Sequence, residues 1–142
     1  MDLKKLSLLL LLTPLFAAGP DGFKLWKSAE LKAYDKAAPL ADFGNHTAQM
    51  NHREKNGEVE IHQNWADVMV IESGEAMMAI GGTPVNPKTT APGEIRAESA
   101  TGAEKTALAP GDILNIPAGV PHQFLVPAGK QITYFAMKVP AK

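Results

Sequence analysis

The stretch GDILNIPAGVPH, residues 111–122, decides the fold assignment of this chain. Its key positions are Gly111, Pro117, Gly119 and His122, so that one of only four histidines directly follows a Pro-rich turn. A chain of 142 residues with 12 glycines, 11 prolines and 4 histidines would show this spacing by chance with a frequency of about 2 in 1,000. Most histidines beside turns are solvent-exposed. The role of His122 therefore depends on which side chains the rest of the chain brings near it.

The remaining sequence has the pattern of an all-β domain. Short alternating or apolar segments, such as EVEIHQ, DVMVIE and QITYFAMKV, are separated by turn signals such as Asn56-Gly57 and Ser73-Gly74. Many short strands at such spacing are typical of a sandwich or barrel. One exception precedes them: residues 24–36 carry apolar side chains at helical spacing, which predicts a short amphipathic helix.

Composition excludes several classes of function. A length of 142 residues allows one domain with a sizeable core. The formal net charge of −1 provides no basic face for nucleic acid. The absence of cysteine excludes disulfides, thiolate metal sites and a cysteine nucleophile.

The first residues have the features of a secretory signal peptide. Lys4 and Lys5 precede an apolar run over residues 6–16, and small residues follow it. The run is shorter than the roughly 20 residues of a membrane span. We therefore predict a signal peptide over residues 1–18, a secreted or periplasmic protein, and no membrane attachment after cleavage.

The stretch that ends at His122 resembles the second signature of the cupin superfamily, Gly-x5-Pro-x-Gly-x2-His. That signature usually ends in an Asn, and Val126 occupies this position here. The resemblance covers residues 44–139 and implies an all-β, double-stranded β-helix, the jelly-roll barrel of cupins. Residues 19–43, which contain the predicted helix, are then an N-terminal helical extension before a cupin domain over residues 44–142.

An earlier segment is similar to the first cupin signature, commonly His-x-His-x(3–4)-Glu-x6-Gly. Here it reads Glu60-x-His62-x4-Asp67-x6-Gly74. Glu60 replaces the first His, and Asp67 replaces the Glu. A second register would start the motif at His62 with Asn64, but an amide oxygen is a weaker ligand for transition metals than a carboxylate or imidazole.

The resemblance implies a divalent metal ion, Mn, Fe or Zn, bound by Glu60, His62, Asp67 and His122. Residues 60 and 62 share one strand face because side chains alternate with period two. Two imidazoles and two carboxylates would neutralise a divalent cation, which limits the cost of burying it. Coordination positions left open would accept water or substrate.

The same residues also have a purely structural interpretation. If Asn56-Gly57 forms a two-residue hairpin, Arg53 lies opposite Glu60 in a charge ladder on a solvated sheet face. The match at residues 111–122 favours the metal site. Arg53 would then lie inside the barrel, either orienting the carboxylate or holding an anionic substrate.

Three residues are predicted to contact a small-molecule substrate: Arg53, Trp65 and Arg96. Trp65 precedes Asp67 and would wall the cavity, and Arg96 follows Glu94 in a polar strand start. Two functional classes stay open. The protein is either a metalloenzyme of oxygenase or isomerase/lyase type, or a non-catalytic module that binds a metal or small ligand. The family likeness also suggests a homodimer, with the segment 24–36 as a possible contact.

Overall fold

The computed structural model of the protein describes residues 21–142. The predicted signal peptide, residues 1–18, lies outside the described residues. Within residues 21–142, no helix has the length and apolar character needed to cross a membrane.

One short helix precedes thirteen strands in the described part of the chain. Helix α1 spans Ser28–Leu31 and is followed by β1 (Ala38–Asp42), β2 (Thr47–Arg53), β3 (Val59–His62), β4 (Trp65–Gly74), β5 (Ala76–Ile80), β6 (Thr83–Val85), β7 (Lys88–Ala91), β8 (Glu94–Ala97), β9 (Ser99–Thr101), β10 (Glu104–Leu108), β11 (Ile113–Ile116), β12 (His122–Leu125) and β13 (Ile132–Pro140).

The strands form two main antiparallel sheets. The first sheet has the order β1-β2-β13-β4-β11, and the second has the order β10-β5-β12-β3-β8-β7. Strands β6 and β9 form a separate two-stranded ribbon. Because strands close in sequence alternate between the sheets, the chain winds back and forth as in a jelly roll. The predicted all-β architecture is confirmed.

The hydrophobic core lies between the two sheets. Strand alternation turns Met69 and Ile71 of β4 inward, beside Ile132 of β13, and all three are buried. Phe124 of β12 stacks on Tyr134 of β13 with ring centroids 4.4 Å apart, and so joins the two sheets. This packed region provides the rigid wall against which the polar residues described below are arranged.

The predicted helix over residues 24–36 is wrong in extent. Only Ser28–Leu31 is helical, and none of its residues is buried. Leu25, which belongs to the predicted apolar stripe, is 60% exposed. Helix nucleation is costly, and most helices in proteins need a packing surface for stability. The stripe is exposed or at most half-buried, and residues 38–42 form β1, which pairs with β2.

The hairpin at Asn56-Gly57, on which the purely structural interpretation depends, does not form. Strands β2 and β3 belong to different sheets, so the segment between them is a crossover. It is anchored to the second sheet, because the amide of Gly57 donates to the carbonyl of Phe124 and the amide of Val126 donates to Oδ1 of Asn56. Gly57 also leaves room for Arg53, since a Cβ at this position would lie 2.8 Å from Nη1 of the guanidinium.

The core assignment predicts a large difference between two isoleucines. Ile71→Ala should reduce the free energy of unfolding by about 2–5 kcal/mol, because Ile71 is only 1% exposed and truncation leaves a cavity. Ile113→Ala is the matched control, because Ile113 is 73% exposed and its truncation should change stability by no more than about 0.5 kcal/mol. Urea denaturation of the metal-free proteins measures both, and equal losses would contradict this core.

Candidate metal centre

Two buried histidines from neighbouring strands form the centre of the site. His62 ends β3 and His122 begins β12, and the two strands pair with His122 opposite Glu60. The imidazole rings have centroids 5.3 Å apart, and each residue is 3% exposed. Two imidazoles this deeply buried need polar partners.

The turn before β12 fixes the position and orientation of His122. Gly119 has a φ of 80°, which favours glycine, and its amide donates to the carbonyl of His62 at 2.8 Å. The turn is thereby tied to the end of β3. Nδ1 of His122 lies 3.0 Å from the carbonyl oxygen of Val120. Because that oxygen can only accept, Nδ1 carries a hydrogen, and Nε2 is the nitrogen that faces Asp67.

A carboxylate orients His62 in the same way. Nδ1 of His62 lies 2.6 Å from Oε2 of Glu94, on the paired strand β8. Arg96 donates to the same oxygen at 3.2 Å and so holds the carboxylate in place. A carboxylate behind an imidazole is the usual support of a metal-binding histidine, because it fixes the ring and increases the basicity of Nε2.

The two Nε2 atoms face carboxylate oxygens. Oδ2 of Asp67 lies 3.3 Å from Nε2 of His62 and 3.4 Å from Nε2 of His122. Oε2 of Glu60 lies 3.5 Å from Nε2 of His62. Ligand atoms of Glu60, His62 and His122 all lie within 4.8 Å of one another. The structure thus brings Glu60, His62 and His122 into one cluster, and the fourth predicted ligand, Asp67, contacts both histidines.

Each carboxylate has a cationic partner on its other oxygen. Nη2 of Arg53 lies 2.8 Å from Oε1 of Glu60, and Nζ of Lys138 lies 3.0 Å from Oδ1 of Asp67. The guanidinium of Arg53 is held in turn by the hydroxyl of Tyr134 and by the ring of Phe124. The two cations therefore orient the carboxylates so that Oε2 and Oδ2 are left for the histidines.

These contacts change the pKa values of the site. Burial opposes ionisation of Glu60, but the nearby imidazole of His62 and the charge of Arg53 outweigh it and lower the pKa of Glu60 to about 2. Burial also opposes ionisation of Asp67, but His122, His62 and Lys138 hold the pKa of Asp67 far below its usual range. Both carboxyl groups are therefore ionised at neutral pH.

The pKa of His62 moves in the opposite direction. Burial lowers it, but the carboxylates of Asp67 and Glu60 outweigh burial and raise the pKa to about 9. In the absence of a metal, His62 is therefore protonated at neutral pH. A metal ion at this position must displace that proton.

The donor set fits a divalent metal ion. Among residues 21–142, Nε2 of His62 and Nε2 of His122 are buried side-chain atoms without a hydrogen-bond partner. Although carboxylate oxygens lie 3.3 to 3.5 Å away, the approach lacks hydrogen-bond geometry. Two ligand atoms bound tetrahedrally at the usual zinc distances are about 3.3 Å apart. The observed separations are therefore those expected of atoms that share one cation.

A polar cavity of about 310 Å³ opens beside this group. It is lined by both sheets through Gln49, Asn51, Arg53, Glu60, His62, Asp67, Met69, Glu94, Arg96, Tyr134, Ala136 and Lys138. Two of the three predicted substrate contacts, Arg53 and Arg96, are in this lining. Trp65 is not, so its predicted place in the cavity wall is not supported.

The sequence did not identify Lys138 and Tyr134 as part of the site. The sequence does contain a signal for Lys138. Residues 134, 136 and 138 share one face of β13, and a lysine at the end of this otherwise apolar face indicates a polar partner nearby. Glu94 was noted only as a polar residue at a strand start. Its role depends on the pairing of β8 with β3, in which Glu94 lies opposite His62.

Comparison with known proteins identifies the fold. No protein-family model and no curated protein matches this chain. Solved structures do: a protein from Bacillus halodurans, BH2720, is 15% identical with a TM-score of 0.65, over 87% of this chain and 85% of that one. A cupin protein from Bacteroides fragilis is 19% identical with a TM-score of 0.58, over 87% of each chain. The chain has a cupin fold.

A third cupin-fold neighbour has a named activity. The DMSP lyase DddQ from Ruegeria pomeroyi is 15% identical with a TM-score of 0.52, over 72% of this chain and 45% of that one. Identities this low establish the fold alone. The function of this protein has to be argued from its site.

The raised pKa of His62 predicts proton release on metal binding. Zinc uptake at pH 7.5 should release about one proton per ion, because the imidazole is protonated until the pH reaches about 9. Titration calorimetry in buffers of different ionisation enthalpy measures this number. Release of no proton would show that the metal does not reach His62.

The same shift gives the pH dependence of stability. The folded pKa of about 9 lies above the ordinary 6.5, so the protonated ring contributes its full stabilisation below pH 6.5. That contribution is lost as the pH rises through 9. Metal-free protein should therefore lose thermal stability over this interval, and zinc-loaded protein should lose less of it. Parallel melting curves of the two forms across the interval would contradict this assignment.

The carboxylate behind His62 predicts a loss of metal affinity in Glu94→Gln. The neutral amide of Gln would hold the imidazole more weakly than the carboxylate does and would remove its negative charge. The affinity for the metal should therefore fall by about 10- to 100-fold, while the site should still fill at saturating metal concentration. Glu98→Gln is the matched control, because Glu98 is an exposed residue beyond the same strand. Competition with a chelator measures both, and equal affinities would exclude a supporting role for Glu94.

Proposed function

We propose that this protein is a divalent-metal-binding cupin that acts as an enzyme on a small molecule. The observation that carries the proposal is the pair of buried Nε2 atoms of His62 and His122, which have no hydrogen-bond partner among the described residues and face two ionised carboxylates. Such an arrangement is costly in a protein without a cation to bind.

The proposed ligands are Glu60, His62, Asp67 and His122. Nitrogen and oxygen donors without sulfur suit Mn, Fe or Zn, and the general affinity order places zinc above manganese and iron. When bound, the ion would act as a Lewis acid that polarises a substrate oxygen or a water molecule.

The surrounding residues would prepare the site for a substrate. Arg53 and Lys138 hold Glu60 and Asp67 in place through their outer oxygens. Burial of both imidazoles and of Asp67 keeps bulk water from the ligand atoms. The adjoining cavity of about 310 Å³ has room for a small molecule. These features support an oxygenase or an isomerase/lyase, and a structural neighbour that is named a lyase supports the latter class.

A second function is favoured by the charge balance of the site. Glu60 and Asp67 each already have a cationic partner, so the carboxylates are compensated without a metal. A non-catalytic module that captures a small polar ligand would have this property. It would bind its ligand in metal-free form and would release it unchanged.

Two further parts of the proposal come from the sequence. The basic start and apolar run of residues 1–18 support export to a secreted or periplasmic location. Family likeness supports a homodimer.

Removal of one histidine tests the metal site. His122→Ala should fold but lose metal, with affinity reduced by more than about 100-fold, because loss of a ligand costs more than loss of its support. His46→Ala is the control, since His46 stacks on Phe43 outside the cavity and should keep full metal content. Elemental analysis of both purified proteins after dialysis gives the result. Equal metal content in the two variants would disprove the site.

Turnover separates the two functions. Metal-loaded protein screened for dioxygen uptake and for product formation should convert a substrate in a metal-dependent manner if it is an enzyme. Tight ligand binding by the metal-free protein, with the ligand recovered unchanged, would instead establish the binding module.

A further inference from the structure

An unpaired amide lies in the cavity apart from the metal ligands. Asn51 of β2 is only 9% exposed, and Nε2 of Gln49 donates to its Oδ1 at 3.0 Å. That bond leaves the other end of the amide, Nδ2, buried and without an acceptor among residues 21–142. Buried donors are nearly always paired. Because Asn51 lines the cavity, the missing acceptor can come from a bound molecule.

A second free donor lies on the neighbouring strand. Tyr134 of β13 is paired directly with Asn51, and the Cβ atoms of residues paired in this way lie about 5 Å apart. The hydroxyl of Tyr134 accepts a hydrogen bond from Nε of Arg53, so its own hydrogen remains available. Two donors at neighbouring positions match the two oxygens of a carboxylate.

The charge of the cavity favours an anion once a metal is bound. Its lining contains three cations, Arg53, Arg96 and Lys138, and three carboxylates, Glu60, Asp67 and Glu94. These charges cancel, so a divalent ion leaves the cavity with two uncompensated positive charges. An uncompensated charge in a partly buried site is unfavourable. An anionic ligand removes that cost.

The dimensions of the cavity limit the ligand to a small molecule. A volume of about 310 Å³ corresponds to the space of about ten water molecules. Met69 and Ala136 provide a short apolar segment between the Asn51 side and the metal ligands. A short carbon chain with acidic groups fits this combination of surfaces.

We propose that the cavity binds a small organic carboxylate, one carboxylate group of which accepts hydrogen bonds from Nδ2 of Asn51 and the hydroxyl of Tyr134. This proposal rests on the proposed metal function, because the excess positive charge comes from the metal. It names the substrate class of the same site.

The test uses zinc-loaded protein titrated with malonate, a three-carbon dicarboxylate, and with malonamide, its neutral analogue. Metal content is measured first and again after titration. Malonate should bind and shift the side-chain amide resonance of Asn51 in the nitrogen–proton NMR spectrum, whereas malonamide should bind at least tenfold more weakly. Metal-free protein should bind malonate at least tenfold more weakly than zinc-loaded protein.

Two variants test the donors. Asn51→Asp keeps the size of the side chain and replaces the donor with a repelling oxygen, so malonate affinity should fall at least tenfold at unchanged zinc content. Tyr134→Phe should weaken malonate binding in the same direction. Asn115→Asp makes the same chemical change on an exposed strand position outside the cavity and should leave affinity unchanged.

The outcomes separate this proposal from the metal function. If zinc binds but malonate does not, or if malonate binds without moving the Asn51 amide resonance and equally well to Asn51→Asp, the carboxylate proposal is overturned and the metal site stands. If no zinc binds, both are overturned. The NMR measurement on the unaltered protein decides the case even where a variant fails to fold.

Discussion

The site depends on how two buried imidazoles are held. Each ring has Nδ1 tied to an oxygen of the protein, Val120 O for His122 and the Glu94 carboxylate for His62. That choice fixes the tautomer and directs both Nε2 atoms to one place. Had either ring been free to rotate, the carboxylates of Asp67 and Glu60 would face a weaker and less ordered set of donors.

The negative charges of Glu60 and Asp67 must also be compensated if these side chains are to be buried beside the histidines. Glu60 and Asp67 carry two negative charges, and Arg53 and Lys138 supply two positive charges that balance them. The proton on His62 adds one further positive charge. The metal-free protein therefore has a stable charge arrangement of its own, and metal binding exchanges one proton for a doubly charged ion. Because of this exchange, the side chains of the site can be held in place before a metal ion binds.

The fold orders the site because the space between the two sheets is apolar at one end and polar at the other. At one end, Phe124 and Tyr134 stack across the sheets and Ile71 and Ile132 complete a dry core. At the other, the same strands β4 and β13 present Asp67 and Lys138 to the cavity. Tyr134 belongs to both regions, because its ring packs in the core while its hydroxyl contacts Arg53. The site is therefore positioned by rigid strands, and its geometry does not depend on a flexible loop.

The sequence by itself determined the features that follow from local geometry. The Gly-x5-Pro-x-Gly-x2-His pattern defined the turn before His122, and period two placed Glu60 and His62 on one strand face. Local rules were enough for the all-β fold, and the resemblance to the two cupin signatures supplied the four side chains predicted as ligands. Tertiary structure decided everything that depends on which strands pair. Lys138 meets Asp67, Glu94 meets His62, and Asn51 lies beside Tyr134 only because β13 and β8 take their particular places in the sheets. Tertiary structure also explains two differences from the sequence analysis. No residue of the short helix is buried, so little holds a longer helix over residues 24–36. Asn56-Gly57 crosses between sheets because β3 pairs with β12 and β8 instead of β2. Pairing is set by the free energy of burying whole sheet faces against each other, and no short stretch of sequence contains that information.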